Sequence, residues 1–108
     1  MKVTLKTRYL PEAEYRIVVA EYMNGTPAWR VVDQNGEQLM IATVNMPDHP
    51  NVKGTVWIKS YSENEGLIEA LEKANLIRRT GIEIHGGHVT IPLCEVLHPS
   101  LDPRMYSQ

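Results

Sequence analysis

The sequence predicts an α+β domain: a largely antiparallel, curved sheet of six to seven strands packed on one helix, in the order β-β-β-β-β-α-β-β. Three observations predict it. Most apolar residues fall in short runs with the alternation of half-buried strands. Two Asn-Gly pairs, Asn24-Gly25 and Asn35-Gly36, separate such runs where a tight hairpin requires positive φ. Helical spacing of apolar residues is confined to one stretch, from Leu67 to Ala74. The 108 residues suffice for one domain, with 98–108 expected as an extended tail.

Val3 and Leu5 alternate with Lys2, Thr4 and Lys6, a short strand ended near Pro11. Residues 15–22 form the second strand, 29–32 the third and 38–45 the fourth, an antiparallel meander joined by the Asn-Gly turns. Pro47 and Pro50 then break the pattern, because proline fixes φ and lacks the amide donor. Residues 54–61 return to strand. Ser62 is expected to cap the helix and Glu65, three residues later, to close a capping box. Glu63 suits the positive end of the helix dipole and Asn64 is expected to be exposed in the first turn. Arg78 and Arg79 fit the helix end, with Thr80-Gly81 closing it. A last hairpin turns at Gly86-Gly87, and Pro92 in its second arm marks an edge or a bulge.

Composition excludes several functional classes. A net charge of −2, eleven basic against thirteen acidic residues, lacks the basic surplus that grips nucleic acid or anionic membrane. The longest apolar runs fall far short of the ~18 residues of a membrane span. One cysteine, Cys94, forms no internal disulfide and suits a reducing cytoplasm. Gly86-Gly87 and Gly66 match no nucleotide-binding signature, so no cofactor is expected. Cys94 has no basic neighbour to lower its pKa and reads as a packed thiol. A strip of Arg30, Lys53, Lys59, Arg78 and Arg79 with Trp29, Trp57 and Tyr61 would stack single strands only if segregated on one face, and nucleic acid is not the expected partner.

A metal reading rests on His85 and His88. Two imidazoles across a glycine turn share a cation readily, but a structural or catalytic zinc needs further ligands, and Cys94, Glu95, His98 or Asp48-His49 would have to come from elsewhere in the fold. That makes a metal-binding protein or metal-dependent hydrolase the alternative to the main reading.

The main reading is an areal argument. Strands lie ~4.8 Å apart and a helix is ~10 Å across, so one helix covers two or three strands. Yet residues 17–20 and 39–42 are apolar on both faces, and with Val56 and Ile58 turned to the helix, Trp57, Lys59 and Tyr61 look outward. Cover from the tail residues Leu101, Met105 and Tyr106 is one solution. The other is a second polypeptide on a patch of Trp57, Lys59, Tyr61, Glu63 and Asn64. The expectation is a non-enzymatic protein-binding module, a homodimer or a binder of another protein.

The run from Val56 to Leu67, with its Lys-x-Tyr-Ser-Glu-Asn-Glu-Gly core at 59–66, resembles a family of small uncharacterised proteins of bacterial genomes, phages and conjugative elements. The likeness covers about twenty residues of the chain. It implies a cytoplasmic accessory protein of mobile-element origin, with interference with a host defence enzyme as one such role. No catalytic residue is carried over. Within the run, Gly66 is the residue a regular helix would avoid, and points to a close backbone approach by Tyr61, a strand or a partner.

Overall fold

The computed structural model describes residues 1–105. β1 (Lys2–Leu5), β2 (Ala13–Glu21), β3 (Pro27–Val32) and β4 (Gln38–Ile41) form the expected antiparallel meander, in spatial order β1-β2-β3-β4. Gly25 and Gly36 both stand at φ +82°, the conformation for which the Asn-Gly pairs are suited. The turns close through Tyr22 N–H to Thr26 O at 2.8 Å and Asp33 N–H to Glu37 O at 2.9 Å.

The single curved sheet of six to seven strands is not found. β5 (Thr55–Trp57), β6 (Ile77–Gly86) and β7 (Val89–Val96) form a second antiparallel sheet, in order β5-β7-β6. A register shift between Val31 and Val32 marks a bulge at the turn end of the β3–β4 ladder. After β4 the chain leaves the first sheet. An isolated bridge from Thr43 to Ile58, flanked by Lys59 N–H to Ala42 O and Val44 N–H to Trp57 O, ties the two sheets together. Two narrow sheets each turn one face to a shared core, which includes Leu5, Ile17 and Val31 from the first sheet, Val56 and Cys94 from the second, and Leu71 from the helix. That division relieves much of the areal mismatch that one wide sheet would have posed.

The helix α1 spans only Leu67–Lys73. Ser62 is not its cap. Residues Ser62–Asn64 form a 3-10 turn with Ser62 itself at φ +58°, and Glu65 reaches Arg8 at 2.6 Å instead of closing a capping box. Gly66 precedes the helix at φ +89°, and a Cβ there would meet Arg8 N and Thr7 Cβ at an ordinary 3.6 Å. Its glycine therefore serves the left-handed backbone rather than a close approach. Ser60 Oγ accepts from Ile68 N–H at 3.1 Å and supplies the missing cap. The helix stops early because Asn75 adopts φ +61° and the last turn closes as a Schellman motif, with Leu76 N–H on Leu71 O and Asn75 N–H on Glu72 O. Arg78 and Arg79 consequently lie in β6, and the ladder shifts register between Arg79 and Glu83, where Thr80-Gly81 had been expected to end the helix.

Pro92 stands on the central strand β7 and not on an edge, and it pairs with Glu83 where the irregularity of the β6–β7 ladder ends. It lies just past the end of β5, where Ile58 N–H donates to Pro92 O at 3.1 Å and no return donor is required. Residues 99–105 are not an extended tail. They form two 3-10 turns, with Leu101 and Asp102 fully buried. Trp29 Nε1–H donates to Leu101 O at 2.7 Å. The Asp102 carboxylate accepts from Gly54 N–H at 2.6 Å and from Arg104 Nε at 3.0 Å, and Arg104 donates onward to Asn51 O and Thr55 O, each at 2.8 Å. Burial by itself would raise the Asp102 pKa; the hydrogen bonds from Arg104 and Gly54 outweigh it and hold the carboxyl below its ordinary value. Tyr106 lies outside the described residues. Among the described residues, no helix is long and apolar enough to cross a membrane.

Candidate functional site

The structure separates the five residues of the expected outward patch. Trp57 is on the face opposite Val56, as alternation requires, yet it is only 5% exposed. The proline-bearing loop after β4 folds back over it, so that Trp57 Nε1–H donates to His49 O at 2.9 Å. The cover is intramolecular, and Trp57 is not a docking residue.

Asn64 is also corrected, since it is fully buried. The 3-10 turn points its side chain inward, where Nδ2 donates to Ile41 O at 2.8 Å and to Lys59 O at 3.2 Å. Both are carbonyls at the junction of the two sheets, so Asn64 fastens the turn to the end of β4. Its Oδ1 is buried without a hydrogen-bond partner among the described residues.

Lys59, Tyr61 and Glu63 remain at the surface and are held together. Lys59 Nζ pairs with the Glu63 carboxylate and lies 5.3 Å from the centre of the Tyr61 ring, within cation–π range. The hydrogen bond from Lys59, with that from the Glu63 backbone amide, holds the Glu63 carboxyl below its ordinary range. These three side chains help to line a shallow groove of about 530 Å³, together with Leu39 and Ile41 of β4, Tyr22 and Asn45. Ile41 is 42% exposed. Tyr22 OH donates to Thr43 O at 3.1 Å, which fixes its ring at the groove wall. Tyr22 and Ile41 were absent from the predicted patch, although the apolar parity of Leu39 and Ile41 was the signal that could have found them.

His85 and His88 are both exposed at the β6–β7 tip. His85 Nδ1 lies 3.1 Å from Thr90 Oγ1. None of the ligands needed to complete a metal site is brought there among the described residues. Cys94 is buried in the core, Glu95 pairs with Arg78 at 2.8 Å, and His98 Nδ1 bonds Ser100 Oγ at 2.7 Å. Among the described residues, no group of three His, Cys, Asp or Glu side chains is placed to hold a metal ion.

Burial pushes the Cys94 thiol up to about 12, which suits a packed core residue and not a nucleophile. The basic–aromatic strip does not assemble either. Trp29 and Trp57 are buried, Arg78 engages Glu95, and Arg79 reaches Glu69 and Glu72. What the groove offers is a mixed surface, an apolar shelf beside a paired cation and carboxylate. No protein-family model, curated protein or solved structure matches the chain.

Proposed function

We propose that this chain is a non-enzymatic protein-interaction module, and that it receives an extended segment of another protein in the groove between β4 and the Lys59–Glu63 turn. The observation that carries this reading is the convergence of Lys59, Tyr61 and Glu63 on the exposed Ile41, above a buried Asn64 that anchors their backbone. An apolar side chain of the segment rests on Leu39 and Ile41 beside the Tyr61 ring. Tyrosine brings contact area at small entropic cost, which is why it is favoured at such surfaces. The charges of Lys59 and Glu63 then select polar groups at either end. An accessory role in a mobile element, which the 59–66 run suggests, would use this surface against a host protein.

Selection of a displayed random-peptide library on the full chain tests the reading. Enriched peptides are expected to share an apolar residue and to lose binding to Tyr61→Ala and to Ile41→Lys. Peptides that bind both variants as well as wild type would place the interaction elsewhere and overturn the proposal, and so would a selection that enriches nothing.

A further inference from the structure

A sheet edge presents unpaired N–H and C=O groups, and stable monomers cover or interrupt them. Three of the four edges here meet another part of the chain at one point or more. β1 runs beside α1 and shares a groove with Ala70 and Ala74. β4 ends beneath the Asn64 side chain, and β5 is flanked by Thr43 and Val44. The fourth edge is β6, which pairs with β7 alone. From Ile82 to Gly86 its outer side has no strand partner among the described residues. From Glu83 to Gly86 the ladder is regular and carries neither lysine nor proline, and Ile82, in the irregularity just before it, is 57% exposed.

The ladder fixes which groups point outward. Gly86 pairs with Val89 across the two-residue turn, so Gly86–Val89 and Ile84–Ile91 are hydrogen-bonded pairs, while His85–Thr90 and Glu83–Pro92 are not. Pro92, which has no N–H, agrees with that parity. The N–H and C=O groups of Glu83 and His85 therefore face away from β7.

We propose that this edge binds the same edge of a second copy, antiparallel about Ile84, and joins two three-stranded sheets into one of six. The surface is distinct from the β4 groove. In this register Glu83 exchanges two backbone hydrogen bonds with His85 of the partner subunit, and symmetry repeats the pair. The side chains of these pairs are complementary, a carboxylate acceptor opposite an imidazole whose Nδ1 is already engaged by Thr90 and whose Nε2 is left to pair. Ile84 meets its symmetry mate. The neighbouring registers are worse: centring on Glu83 sets two carboxylates face to face, and centring on His85 sets imidazole against imidazole.

Sedimentation velocity of the full chain over a range of concentrations tests this. Wild type is expected to move from a 12.3 kDa species to one of twice that mass. His85→Pro deletes an outward donor without touching the β6–β7 ladder, and is expected to abolish the dimer while leaving the folded circular dichroism spectrum intact. Glu83→Lys and His85→Glu should each weaken self-association roughly tenfold or more, and should associate with each other when mixed, because the mixture sets Lys against Glu in one pair and keeps the wild-type Glu–His contact in the other. A wild type that stays monomeric at several hundred micromolar overturns the proposal. So does a folded His85→Pro variant that still dimerises, or a mixture of the two charge variants that associates no better than either alone.

Discussion

Two stretches of the second sheet carry large apolar side chains outside the shared core, and they meet opposite fates. At Trp57 the chain supplies its own lid, the loop whose His49 carbonyl takes the indole N–H. At Ile82, on the far edge of the same sheet, no such loop returns and the side chain stands 57% exposed. The difference teaches that strand composition reports the need for cover without reporting its source. A loop broken by two prolines served as well as another polypeptide would have done.

The comparison can be broken most severely at Trp57. Trp57→Asp removes a large buried side chain and leaves an unpaired charge in its place, at a cost of about 5 kcal/mol or more, so a urea titration is expected to show a largely unfolded chain instead of a dissociated one. Next is Asp102→Ala, which strands the Arg104 guanidinium and the Gly54 amide, for about 3–5 kcal/mol by the same titration.

The Asp102 pair also sets an acid limit. Its carboxyl is held below the unfolded value of 3.8, so its contribution is complete above that pH and disappears as pH falls through the lower folded value. Wild type should lose more stability than Asp102→Ala between pH 5 and about pH 2, read by thermal melts.

Asn64→Ala leaves the Ile41 and Lys59 carbonyls unmet and is expected to cost about 1–3 kcal/mol, with faster amide exchange at the β4 end as the local sign. Gly66→Ala forces a side chain into the left-handed region for about 1–2 kcal/mol. The smallest effect belongs to the uncovered region itself. Ile82→Asp should change the stability of the monomer by less than about 0.5 kcal/mol, a direct contrast with Trp57→Asp.

The α+β class, the meander with its two Asn-Gly turns and the β6–β7 hairpin were legible because each signal is local. The extent of α1 was not. Ser62 and Glu65 have the spacing of a capping box, and that spacing fits a 3-10 turn equally well once Asn64 finds carbonyls on Ile41 and Lys59. The Ile41 acceptor lies on β4, 23 residues away and beyond any window centred on the run. The division into two sheets was hidden for a related reason, since residues 42–45 keep strand-like composition while changing partners. Lys59, Tyr61 and Glu63 were named from side-chain type and parity, and they line the groove at the surface. Trp57 and Asn64 were misplaced because their exposure is decided by a loop and by backbone acceptors.

The hydrogen bond from Trp29 to Leu101 joins residues 72 positions apart. At ~5–20 residues per second, a ribosome needs roughly 4–14 s to travel that distance. Throughout that interval the nascent meander carries its central indole unclasped, a greasy surface open to chaperones and to neighbouring nascent chains. Speed of elongation through the later codons thus bears directly on how much of this polypeptide escapes aggregation.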